Sequence, residues 1–213
     1  MTVKQPPADL AERLWEVSDE FLALGSEVKV DELAELSGVP RATIYYYFSG
    51  KDDVMSFLLA QKVERAGVVI ADAAAGSGTP AERLSRVFRS MLHEMADHPA
   101  LCTRLMCWLS SSVGEQLVIE AQGAFMAPVR ELFAAGQATG EFPDIDPVDA
   151  TSAMMGALAM VAMRHTVNGD FDPDAVADSL IPVLLEGLGR RPVGRPPART
   201  TAGPGRRPAP RRA

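Results

Sequence analysis

The chain has 213 residues, 47% of them apolar, and a formal net charge of −7 at pH 7. Its longest apolar run, Ala153 to Met163, ends after 11 residues at Arg164, and MTVKQPPADLAERL has no apolar signal-peptide core, so a soluble, cytoplasmic protein with no membrane partner is expected. The charge is divided: eight arginines and no acids lie in residues 190–213, leaving a net −15 on residues 1–189.

Apolar residues at Leu10, Leu14, Val17, Phe21 and Leu24 follow a helical period, with Gly25 placed as a C-cap. VDELAELSGVPRATIYYYF then gives two short helical elements. Gly38 between them permits a left-handed turn, and Ala34 lets the second element approach the first. Ser49 to Asp52 reads as a capping-box variant opening another helix through Val54, Phe57 and Leu58. A joint near 66–78 separates short helices from longer ones. Thr79-Pro80-Ala81-Glu82 is a full capping box, and Asp146-Pro147 and Asp172-Pro173 each set an N-cap acid before an N1 proline. No stretch alternates with period two between turn residues. The expectation is all-α, about nine helices: an N-terminal domain at 8–65, a larger helical domain at 66–189, and a disordered Arg/Pro-rich tail at 190–213.

Ile44 and Phe48 share one face of the YYYF element, which leaves Arg41, Ala42, Thr43, Tyr45, Tyr46 and Tyr47 largely outward. A short helix packed back on another by its apolar face is the arrangement of a helix-turn-helix, whose second helix enters the major groove of DNA. A tyrosine hydroxyl donates to phosphate, and its ring packs on sugar or a thymine methyl. Lys51 and the free N–H groups of the following helix offer an anion site. Residues 1–65 hold seven bases against twelve acids, so affinity depends on where those charges face. The Gly194-Arg195-Pro196 tail segment is read either as a minor-groove arm or as a solubilising extension.

The run Thr43, Ile44, Tyr45, Tyr47, Phe48, Lys51, Asp52 resembles the T-[LIV]-Y-x-[HY]-F-x-x-K-[ED] hallmark of the tetracycline-repressor (TetR) family. AAGQATGEFPDIDPVDAT and AVADSLIPVLLEGL resemble that family's entry into its penultimate helix and its last helix. The resemblance spans roughly Ala8 to Leu188. It implies phosphate contacts from Tyr45 and Lys51, and base-facing roles for Arg41, Ala42, Thr43, Tyr46 and Tyr47. Where the family has Ser or Thr at the start of the first motif helix, this chain has Lys29, which exchanges a cap for a charge contact.

In the second half, methionines recur on helical stretches beside aromatic residues. Met91, Met95, Met106, Met126, Met154 and Met155, with Trp108 and His165, form a candidate ligand pocket, since methionine adapts to varied apolar guests. A helical core explains each methionine singly. Cys102 and Cys107 read as small buried apolar side chains. His93-Glu94 lacks the second histidine of a zinc motif, and no nucleophile elbow or P-loop is present, so no catalytic residue, metal ligand or cofactor is expected. Small residues at 153–162 and bulky ones at 180–188 fit either a core helix pair or a two-fold four-helix interface. The expectation is a homodimeric, ligand-responsive repressor that a small apolar effector releases from palindromic double-stranded DNA. The alternative is a helical protein–protein module that no longer binds DNA.

Overall fold

The computed structural model describes residues 5–24, 28–99 and 122–187. Cys102, Met106, Cys107, Trp108, Gly25 and the arginine-rich tail lie outside them. Among the described residues there are nine α-helices and no strand: α1 Ala8–Glu16, α2 Ser18–Ala23, α3 Val30–Ser37, α4 Arg41–Tyr47, α5 Lys51–Ala75, α6 Pro80–Asp97, α7 Ala127–Thr139, α8 Pro147–Asn168 and α9 Pro173–Glu186. A π-helical turn, Gln122–Met126, leads into α7.

Two apolar cores are strung along α5. Leu14, Phe21, Leu33, Ile44, Val54, Leu58 and Leu59 join in the first, and Ile70, Leu84, Val87, Phe88, Leu92, Val129 and Leu158 in the second. Four of those seven first-core residues lie on α1 to α4, wrapped around the N-terminal half of α5. The second is built by its C-terminal half with α6 to α9. The joint expected near 66–78 is therefore a change of core within a continuous helix. Val63 closes the first cluster and Ile70 opens the second. Phe125, on the π-helical turn, packs against both. Small residues allow that approach: a Cβ on Gly67 would lie 3.1 Å from the Ala124 Cβ.

The predicted caps are present. Glu82 N–H donates to Thr79 Oγ1 and Thr79 N–H donates to Glu82 Oε2. Asp146 Oδ1 accepts from Val148 and Asp149, and Asp172 Oδ1 from Asp174 and Ala175. Two local expectations change. The first helix breaks at Val17, where the Ser18 hydroxyl donates to Trp15 O at 2.7 Å and competes with the helical ladder. The break rotates the following turn, so Leu22 is buried and Leu24 is 49% exposed. The capping contact before α5 is made by Asp53 rather than Asp52: its Oδ2 accepts from both the Ser49 N–H and hydroxyl at 2.9 Å.

Between α6 and α9, Arg89 donates to Asp174 and Asp178 at 2.7 and 2.6 Å. The Asp174 carboxyl lies below the usual aspartate range, first because of the Arg89 hydrogen bond and then that of His93. No described helix is long and apolar enough to cross a membrane.

Candidate nucleic-acid interface

The reading helix is placed by a turn whose conformation only a few residues accept. Gly38 caps α3 at φ +62°, in the left-handed region. Val39 then tucks into the first core, and Pro40 directs the chain into α4, its carbonyl accepting from Thr43 and Ile44. Arg13 of α1 clamps the turn by donating to Ser37 O at 3.0 Å and Gly38 O at 2.9 Å. These carbonyls end α3 without helical partners, so the guanidinium satisfies them and opposes the negative end of the helix dipole.

Ile44 is fully buried and Phe48 nearly so, which fixes the outward face of α4. Arg41, Ala42, Tyr45 and Tyr46 are exposed, and Thr43 and Tyr47 are half-buried. Tyr47 packs partly on the first core and meets Tyr46 edge to face at 4.9 Å, which braces the Tyr46 ring, itself 60% exposed. The Arg41 guanidinium lies 5.3 Å from the Tyr45 ring centroid. It also pairs with Asp31 of α3 through two nitrogens at 2.9 Å. Both partners of that pair are about half-exposed or more, so it is worth under about 1 kcal/mol and is readily exchanged for a phosphate or a base edge.

Lys29 stands exposed at the N-cap of α3. Its ammonium cannot accept a hydrogen bond, so only half of a capping box forms: Lys29 N–H donates to Glu32 Oε2 at 2.6 Å. Lys51 is the first residue of α5, where the opening N–H groups of a 25-residue helix point outward.

Beneath the reader, a charged cluster ties it to the second core. Lys62 of α5 has a fully buried side chain, with Nζ 2.9 Å from Asp19 Oδ1 of α2, 3.3 Å from His98 Nδ1 and 4.2 Å from the Trp15 ring centroid. His98, at the C-cap of α6, also reaches Asp19 Oδ2 at 3.1 Å. Arg65 covers Trp15 and pairs with Glu12. Sequence reasoning missed this cluster and the Arg13 clamp, because both join residues far apart in the chain.

Of the candidate pocket residues, Met91 and Met154 are buried in the second core, and Met95 and Met155 pack against it. Met126 is half-buried on the π-helical turn. His165 sits near the end of α8, held by Asp170 at 2.8 Å and by Arg164, with its ring 6.1 Å from Phe171. A cavity of about 830 Å³ lies elsewhere, between α1, α5 and the π-helical turn, and none of these residues lines it. Among the described residues no three His, Cys, Asp or Glu side chains are grouped to hold a metal.

Two short helices crossed over a left-handed glycine, the second turning polar and aromatic side chains outward, define a helix-turn-helix DNA-binding protein. The profile described as "Bacterial regulatory proteins, tetR family" matches residues 25–56, and "Tetracyclin repressor-like, C-terminal domain" matches residues 77–188. The chain belongs to the tetR family and is a DNA-binding transcription regulator, not an enzyme. It is 26% identical over 179 residues to the HTH-type transcriptional regulator EthR of Mycolicibacterium smegmatis, covering 79% of this chain and 81% of that one. A TetR/AcrR-family regulator from Thermobifida fusca shares 26% identity with a TM-score of 0.70, over 85% of this chain and 100% of that one. The fold is also that of FadR from Bacillus subtilis, solved in complex with stearoyl-CoA, at 20% identity and a TM-score of 0.74, over 84% of this chain and 99% of that one.

Proposed function

We propose that the chain is a cytoplasmic, homodimeric repressor that holds a palindromic operator and releases it when a small apolar effector binds. Residues 8–65 act as the reader, and residues 66–189 as the effector and dimerisation unit. The carrying observation is the division of α4: Ile44 and Phe48 inside, Arg41, Tyr45 and Tyr46 outside. Arg41, Ala42, Thr43, Tyr46 and Tyr47 meet base edges, while Tyr45, Lys29 and Lys51 take phosphates and set the register.

Dimerisation is supported by α8. Ala153, Gly156, Met160 and Val167 recur at helical spacing along one uncovered stripe, with Met160 61% and Val167 78% exposed. A Cβ on Gly156 would meet nothing within 4 Å, so a partner helix has room to approach. Two readers on one two-fold axis require half-sites about one helical turn apart. The effector reading is supported by Met91, Met95, Met154 and Met155 gathered at one core, and by the long acyl chain bound to the Bacillus subtilis neighbour. An effector shifts the balance only by its differential affinity for the operator-bound and free forms.

Genome-wide mapping of bound DNA, followed by titration of a recovered site, tests the reading. A two-fold symmetric site bound by a dimer and lost on effector binding is expected. Asymmetric sites bound by a monomer, or no sites at all, would remove it.

A further inference from the structure

We propose that Asp31, at the start of α3, is a positioning residue for DNA reading: it steers Arg41 of α4 away from phosphates and onto base edges. The inference deepens the operator reading and rests on it, since it takes Arg41 as a base contact. Asp31 is the second residue of α3 and Arg41 the first of α4, and the turn over Gly38 brings the two helix starts together. Their contact is a single hydrogen bond, not a closed fork. Arg41 Nη1 donates to Asp31 Oδ2 at 2.9 Å. Nε stands 2.9 Å from Oδ1, yet Oδ1 is buried and accepts no hydrogen bond among the described residues. A guanidinium that closed two parallel bonds on the carboxylate would have spent a whole edge on it. Here neither Nε nor Nη2 donates to a described residue, so that edge keeps two parallel donors. Two such donors are what the N7 and O6 acceptors of guanine take. The Tyr45 ring, its centroid 5.3 Å from Cζ, flanks the same guanidinium, so carboxylate and ring together restrict how it turns.

Charge decides what that edge meets. A phosphate brought to Arg41 is also brought to the Asp31 carboxylate, and the two anions repel. A base edge carries no net charge, so Arg41 serves it without leaving Asp31. Specificity is a difference of affinities, and Asp31 widens it by penalising the contact that every sequence offers. The two side chains are 61% and 46% exposed, so the effect is that of a weak surface pair, up to about fivefold in affinity.

The test is a double-mutant cycle on the full chain, with the parent, Asp31→Asn, Arg41→Ala and the double variant. Each is titrated at several salt concentrations against a duplex carrying a genomically mapped site and a scrambled duplex of equal length. Asparagine keeps the shape of the side chain and removes its charge, and unchanged thermal melts confirm that the variants fold. Asp31→Asn tightens the scrambled duplex about two- to fivefold and steepens its salt slope by about 0.9, the increment of one added phosphate contact. The mapped site gains less, so the preference falls. In the Arg41→Ala background the same change shifts both duplexes by one factor and leaves the preference where Arg41→Ala set it. An equal gain on both duplexes with Arg41 present would reduce Asp31 to a general repulsive charge and overturn the proposal, as would a preference that rises. Where Arg41→Ala lowers the preference and Asp31→Asn does not, this inference alone is lost. A preference indifferent to Arg41→Ala removes the base-reading role of Arg41 on which it rests.

Discussion

Removing Asp19 strands a buried cation. The Lys62 side chain is fully buried, and its ammonium has Asp19 at 2.9 Å, His98 at 3.3 Å and the face of Trp15 at 4.2 Å. Deleting one partner of a buried pair costs about 3–5 kcal/mol, because the remaining charge is left uncompensated. The Asp19 side chain is 47% exposed, so solvent screening reduces this, and the surviving imidazole and ring contacts offset part of the rest. The expectation for Asp19→Ala is a loss of about 2–3 kcal/mol, or roughly 5–10 °C in Tm for a chain of this size. Lys62→Met removes the charge while keeping an apolar stem on Trp15, and costs under about 1 kcal/mol. In the double variant no cation needs a partner, so most of the Asp19→Ala loss returns, a coupling of about 2 kcal/mol. Thermal and urea melts of the four proteins measure the cycle. Equal penalties for the two single changes, or simple additivity, would refute the reasoning.

Gly38→Ala forces a left-handed φ of +62° on a residue with a Cβ and costs about 1–2 kcal/mol, read by urea melts. Gly136→Ala places a Cβ 2.1 Å from Phe142 Cδ2, which breaks the Phe133–Phe142 stack; a loss of about 1–3 kcal/mol is expected in the same assay. The folded-state pKa of Asp174 is depressed, so its contribution is present above the ordinary aspartate pKa and is lost as pH falls through the lower folded value. Melts of Asp174→Asn against the parent therefore differ at pH 7 and converge in strong acid.

The parts that sequence foresaw are those decided within a few residues. Thr79, Asp146 and Asp172 each sit immediately before an N1 proline, and each caps its helix as chemistry requires. The inward pair Ile44 and Phe48 is four apart, so periodicity alone set the outward face of α4. The break at Val17 turned on a single hydroxyl, Ser18, choosing the Trp15 carbonyl over water, which the periodic pattern of Leu10, Leu14 and Phe21 masks. The division of the chain was expected at a joint, yet α5 has no glycine or proline interruption strong enough to stop it before Gly76. Arg13, 25 residues from Gly38, and Asp19, 79 residues from His98, carry no local mark of their partners. The methionine pattern located a core, whereas the cavity formed where a π-helical turn meets α5, a contact invisible to periodicity.

The central claim, that the outward face of α4 reads DNA sequence, is tested most directly by fluorescence anisotropy. A duplex carrying a genomically mapped site is compared with its scrambled counterpart for the parent, Arg41→Ala, Tyr46→Ala, Tyr45→Phe and Lys51→Ala. The first two variants lose about 1–3 kcal/mol of the preference for the true site, while the last two weaken both duplexes alike. A preference for the true site that survives both Arg41→Ala and Tyr46→Ala would contradict the account.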